Sequence, residues 1–313
     1  MNHFNAHDLL QAASLAAGAQ DYPKSCLYLV PTPIGNLADI TFRALHVLSI
    51  VDGIACEDTR HAQHLLNQYG IRKKNLFPLH QHNEQEATAQ LLQYLQQGQR
   101  IALITDAGTP AISDPGARAV QAVRQAAFRI IPLPGASSIT TAMSATGLIH
   151  GSTLFHGFLP SKAQERQLTL QELLTTPYAI VLLEAPHRIK ALLAELASQA
   201  PDRTVTIARE LSKQFEQIVT LTAAELPVWL SSKAEHGKGE FVCIIHAQAT
   251  HQPQEQHHYD DVLQEALDYM PTKVAANLIA NLTGASKNDL YQRALVLKKS
   301  ACPQKLTLRK PTL

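Results

Sequence analysis

Three short apolar runs, each emptying into a proline- and glycine-punctuated loop just ahead of a polar or helical stretch, constrain this chain more than any other feature. They are Leu27-Tyr28-Leu29-Val30 before Pro31-Thr32-Pro33-Ile34-Gly35, Ile101-Ala102-Leu103-Ile104 before Thr105-Asp106-Ala107-Gly108-Thr109-Pro110, and Arg129-Ile130-Ile131 before Pro132-Leu133-Pro134-Gly135-Ala136-Ser137-Ser138. Such runs read as strands, and strands alternating with helical stretches predict a parallel sheet. Ligand sites of such sheets form outside the carboxyl ends of the strands, so three exits of one kind predict one shared cleft. The loops lack the lysine of a phosphate-cradling G-x-x-x-x-G-K-[ST] and the spacing of G-x-G-x-x-G, which argues against a nucleoside triphosphatase and a standard dinucleotide fold.

The rest of the chain extends this alternation. The pattern predicts a strand at 26–30, a helix over about 40–50 with Asp39 as its N-cap, then strand 53–56, helix 59–69, strand 75–79, helix 84–97 and strand 100–105. After helix 137–146 a second series follows: strand 153–158, helix 163–174, strand 178–184, helix 187–198, strands 203–209 and 217–221, helix 223–231 and strand 240–246. Two consecutive strands without an intervening helix predict a mixed sheet, hence an α+β domain at 137–247 beside an α/β domain at 25–136. Residues 1–24 read as a flexible extension, 248–258 as a polar linker, 259–298 as a small helix-turn-helix-like appendage and 299–313 as a basic tail.

Composition matters where it limits partners. At 313 residues and 45% hydrophobic content the chain can bury a sizeable core, and a formal net charge of +1 means that any nucleic acid must meet a local basic patch. Cys26, Cys56, Cys243 and Cys302 lie far apart with no C-x-x-C pair, which favours reduced thiols over a zinc ribbon or a disulfide scaffold. The pairs His61/His64 and His80/His82 have spacings open to metal, but their polar neighbours favour solvated rings and no metal site. Without a signal-peptide pattern or a bilayer-length apolar run, the expected location is cytoplasmic.

The three loops, followed in order by Gly157-Phe158-Leu159-Pro160, Glu184-Ala185-Pro186-His187-Arg188, Ala208-Arg209-Glu210-Leu211-Ser212-Lys213 and Lys238-Gly239-Glu240, resemble the tetrapyrrole-methylase superfamily, and within it the methyltransferases of small-subunit ribosomal RNA. The resemblance implies S-adenosylmethionine (AdoMet) as methyl donor, the ribose 2′-hydroxyl of a cytidine in the decoding region of 16S rRNA as acceptor, the small ribosomal subunit as partner and a homodimer. It also implies cofactor-lining positions at Pro33, Gly35, Asp106, Gly108, Pro110, Ser113, Ser137, Ser138, Leu183, Ala208 and Gly239. Glu57, Asp58, Asp106 and Glu184 are the carboxylates open to a general-base role, although Asp58 equally suits a helix N-cap. Arg60, His187, Arg188, Arg209, Lys213, Lys287 and Arg293 are candidates for RNA phosphate, with solvated ion pairs as the plain alternative. A relative methylating a porphyrinoid or a protein side chain, and a non-catalytic rRNA-binding assembly factor on the same fold, are the competing readings.

Overall fold

The computed structural model describes residues 6–72, 74–147, 151–248 and 259–300. Residues 1–248 form one compact unit and 249–313 a second. The expected linker, 248–258, apart from its first residue, and the expected tail, 299–313, beyond residue 300, lie outside the described residues.

The first unit opens with helix α1 (Ala6–Ala17), where a frayed extension is expected. Its Ala13 and Ala17 are buried, and Leu9 and Leu10 pack on the same core as the helix that follows the first strand. Alanines at this spacing allow close helix approach, a face that shows only once its partner is in place. Strand β1 (Cys26–Leu29) leads to α2 (Phe42–Ile50), whose N-cap is Thr41, accepting from the Ala44 amide at 3.0 Å, and not Asp39. Asp39 closes a 3₁₀ turn, Leu37–Asp39, and accepts a hydrogen bond from the Ser212 hydroxyl.

There follow β2 (Gly53–Cys56), α3 (Thr59–Gln68), β3 (Asn75–Pro78), α4 (Glu84–Gln96), β4 (Arg100–Leu103), α5 (Ala117–Gln125) and β5 (Arg129–Pro132). The strands form one parallel sheet in the order β3-β2-β4-β1-β5. Its two faces carry separate cores: Tyr28 and Ile54 lie with Leu45, Leu48 and Leu66, whereas Leu27 and Ile101 lie with Leu91, Leu95 and Val123. Burial on both sides explains why these strands show no polar alternation. Helix α5, unassigned from sequence, starts at Gly116, where the Glu84 carboxylate accepts the Gly116 and Arg118 amides at 3.2 Å each.

Helix α6 (Ser138–Ser144) then leads to β6 (Thr153–Phe158), α7 (Ala163–Leu174), β7 (Ala179–Glu184), α8 (Ile189–Gln199), β8 (Thr204–Arg209), β9 (Gln217–Thr222), α9 (Leu226–Ser232) and β10 (Phe241–Ile245). The second sheet runs β6-β7-β10-β8-β9 and is mixed: β6 and β7 are parallel, and the remaining pairs antiparallel. One face buries Ile180, Leu182, Val205 and Ile207 against Leu170, Leu192, Leu196 and Leu226. The other packs Val181, Ala208, Val242 and Ile244 against Ala142 of α6 and against Ile34 from the loop after β1, so the two sheets share a core.

The second unit consists, among its described residues, of α10 (Asp260–Tyr269), α11 (Thr272–Thr283) and α12 (Lys287–Ser300) around Leu263, Ile279, Leu290 and Ala294. No helix among the described residues is long and apolar enough to cross a membrane.

Candidate active site

The loops leaving β1, β4 and β5 are fastened to one another. Thr32 and Gly108 exchange backbone hydrogen bonds at 2.9 and 3.0 Å, the buried Thr32 hydroxyl donates to the Thr105 carbonyl at 3.0 Å, and the Thr109 hydroxyl donates to the Ala136 carbonyl at 3.1 Å. Together with the inner face of the second sheet they enclose a cavity of about 430 Å³, within the range of small-molecule sites. The wall mixes apolar Ile34, Leu183, Leu211 and Val242 with polar Asp106, Asp114 and Glu240. Gly108 adopts φ +82°, a conformation that L side chains rarely hold, and a Cβ there would sit 3.3 Å from the Ile34 methyl.

Of the positions singled out in the sequence, Asp106, Gly108, Ser113, Ser137, Ser138, Leu183 and Glu184 line this cavity. Five of the expected cofactor positions do not, and neither do Glu57 and Asp58: Pro33 and Pro110 are buried in the loops, Gly35 abuts the Lys213 stem, Ala208 is enclosed within β8, and Gly239 lies under the Glu210 carboxylate. Gly135 is a packing glycine, since a Cβ there would meet the Pro31 ring at 2.7 Å. Sequence reasoning missed Ile34, Ile112, Asp114, Phe158, Leu211 and Glu240, which also line the cavity. The turn signal Ser113-Asp114-Pro115-Gly116 was the available clue to Asp114.

The four carboxylates differ in environment. Asp58 caps α3, accepting the Arg60 amide at 2.7 Å and pairing with the Arg60 side chain at 3.2 Å, and these hydrogen bonds hold its carboxyl below the usual range. Glu184 is buried with Arg188 at 3.0 Å and the Ala185 amide at 2.9 Å, and burial pushes its carboxyl up against the pull of both. Burial also raises Glu57, and the nearby charges of Asp106 and Asp114 raise it further. Burial raises Asp114 in the same way, and the nearby charges of Asp106 and Glu240 add to the rise. Glu57, Asp106 and Asp114 thus form one electrostatic group with Asp106 and Asp114 in the cavity wall, whereas Asp58 and Glu184 are occupied as cap and buttress.

The cations expected to meet RNA divide similarly. Arg188 donates to the Leu159 and Pro160 carbonyls at 2.6 and 3.2 Å besides pairing with Glu184. Arg209 is buried and donates to the Lys238 carbonyl at 3.1 Å and the Phe215 carbonyl at 3.3 Å. Lys213 bridges Glu210 at 2.9 Å and Glu240 at 3.1 Å, and Arg293 pairs with Asp260 at 2.6 Å. These four cations are committed to protein partners, because the N–H donors of a guanidinium or ammonium folded among carbonyls and carboxylates are taken up by those acceptors before any ligand arrives. Arg60, His187 and Lys287 are exposed to solvent.

Residues 26–227 match the family model for tetrapyrrole (corrin/porphyrin) methylases, and residues 253–298 match a model for the RsmI C-terminal HTH domain. The chain is 44% identical to ribosomal RNA small subunit methyltransferase I of Pasteurella multocida, over 86% of this chain and 96% of that protein. It is 43% identical to the protein of the same name from Escherichia coli O157:H7, over 88% of this chain and 96% of the relative. Among solved structures, the cobalamin biosynthetic enzyme cobalt precorrin-4 methyltransferase has a similar fold, with a TM-score of 0.52 at 17% identity over 70% of this chain and 94% of that one.

Proposed function

Because this chain belongs to the tetrapyrrole methylase family, and within it to the ribosomal RNA small subunit methyltransferase I proteins, we propose that it transfers a methyl group from AdoMet to the ribose 2′-hydroxyl of a cytidine in the decoding region of small-subunit rRNA. The observation that carries the reading is the cavity fastened between the two sheets, with Gly108 at its floor and a carboxylate at its wall. Its residues fit AdoMet. The space beside Gly108 that a side chain would narrow admits close backbone approach, the apolar Ile34, Leu183, Leu211 and Val242 suit the adenine and methionine carbons, and Asp106, Ser137 and Ser138 offer hydrogen-bonding groups to the ribose and amino-acid end.

When bound, AdoMet supplies a methyl carbon on a sulfonium, already a good leaving group. The protein's task is then chiefly alignment, with modest help from a base for a weakly acidic hydroxyl. Asp106 is the carboxylate assigned to receive that proton, since it lines the cavity and neither caps a helix nor anchors a buried arginine. Exposed Arg60, His187 and Lys287 are assigned to rRNA phosphate, and the protein acts as a cytoplasmic homodimer on the small subunit.

The test is incubation of small subunits, purified from cells lacking the protein, with methyl-labelled AdoMet. The label should appear on one ribose, at a linkage resistant to alkali because the 2′-oxygen is blocked. Label on protein, on a base or nowhere would refute the proposal.

A further inference from the structure

The Gly157-Phe158-Leu159-Pro160 motif has no part in the chemistry described above, yet Phe158 lines the cavity while remaining 50% exposed. Its orientation comes from an irregularity in the edge strand. Phe155 pairs with Val181, but Gly157 pairs with Leu182, so His156 is an extra residue on β6. Side chains alternate along a strand, and Phe158, three residues after Phe155, would face the opposite side of a regular strand. One inserted residue restores the parity, and bulges beside active sites re-aim side chains in this way. Phe158 therefore lies opposite Leu183, on the same face as Phe155 and Val181, toward the cavity. Gly157 permits the bulge at φ +82°.

The ring is also held from behind. The two carbonyls that follow it, Leu159 and Pro160, both accept from Arg188, which is itself fixed by the buried Glu184. Ile112, from the loop after β4, is 53% exposed and lines the same cavity. An exposed aromatic ring at a strand end and an exposed aliphatic side chain in the wall of the same cavity offer apolar surface on which a planar heteroaromatic ring can stack.

We propose, resting on the ribose-methylation reading, that Phe158 is the stacking platform for the nucleobase of the acceptor nucleotide, with Ile112 as its apolar neighbour. Bringing a 2′-hydroxyl into a cavity of this size requires the nucleotide to leave its neighbours. The half-exposed ring at the opening compensates the base for the stacking it gives up.

The test compares wild-type protein with Phe158→Leu, which keeps an apolar side chain but removes the π-face, and with Phe158→Tyr, which retains it. On small subunits as substrate, Phe158→Leu should raise KM on the order of tenfold or more, with AdoMet affinity by calorimetry unchanged, and Phe158→Tyr should stay near wild type. A wild-type KM for Phe158→Leu overturns the proposal, and so does a loss of AdoMet affinity in that variant, which would put the ring against the cofactor instead. If the wild-type protein does not methylate rRNA ribose, the underlying reading fails together with this one. An active wild type with an indifferent Phe158→Leu removes only the platform.

Discussion

Arg188→Ala should destabilise the folded chain without altering how its rRNA affinity depends on salt. Its guanidinium donates to two backbone carbonyls and pairs with Glu184, whose side chain is fully buried, while its own side chain is 19% exposed. Removing one partner of a buried ion pair typically costs about 3–5 kcal/mol. Partial exposure of Arg188 and the capacity of Glu184 to take up a proton place this case near the lower end, about 3 kcal/mol, or a fall of roughly 6–12 °C in melting temperature for a unit of this size. The pH dependence gives a second handle. Burial already holds the Glu184 carboxyl above its ordinary value, so its contribution to stability is full below the unfolded pKa and is lost as pH rises through the folded one. Arg188 opposes that rise, and its removal lifts the folded pKa further, so the penalty should be larger at pH 8 than at pH 5. Urea unfolding of wild type, Arg188→Ala and Arg188→Ala/Glu184→Gln at both pH values measures this, and the double variant should recover part of the loss. A cost below about 1 kcal/mol, or one that does not change with pH, would refute the buried-anchor account. A flattened salt dependence of rRNA binding would return Arg188 to the phosphate contacts.

Gly108→Val should cost roughly 1–2 kcal/mol or more from the left-handed backbone and weaken AdoMet binding at least tenfold, with calorimetry on the folded variant deciding the point; retained affinity would remove this loop from the cofactor site. Glu57→Gln should raise stability at pH 7–8 more than at pH 4, because the raised folded pKa means that the ionised carboxyl is the unfavourable form in the native state; equal urea midpoints for variant and wild type at pH 8 would contradict this. Truncation after Gln248 should leave a cooperatively folding protein with near wild-type AdoMet affinity, since residues 1–248 form a compact unit of their own, but methylation of small subunits should drop sharply. Full-length rates from the truncated chain would show that the helical unit is dispensable for substrate recognition.

Much of the architecture was legible because its signals are local. Strands that alternate with helices along the chain pair in parallel, and the Pro/Gly exits after β1, β4 and β5 mark strand ends whatever lies across from them, so the parallel sheet and a cleft at its strand ends were predictable from the chain alone. The absence of a helix between β8 and β9 likewise foretold a mixed second sheet. The family resemblance pointed to Asp106, Gly108, Ser137 and Ser138, and these lie in those exits and line the cavity.

What only the tertiary structure decided depends on residues far apart in sequence. Helix α5 went unseen because its cap is Glu84, with all of α4 and β4 between them in the chain, and α1 looked unanchored because its alanine face has meaning only against α2. Arg188, Arg209 and Lys213 could be read as phosphate contacts or as ion-paired side chains, because composition shows a charge but not the carbonyl or carboxylate that will lie beside it. The face presented by Phe158 turned on one inserted residue, and strand parity is defined only by pairing with a neighbour. Propensity and punctuation are properties of adjacent residues and can be read in order, whereas charge pairing, capping across the fold and strand register are set by whichever distant groups folding brings within hydrogen-bond reach.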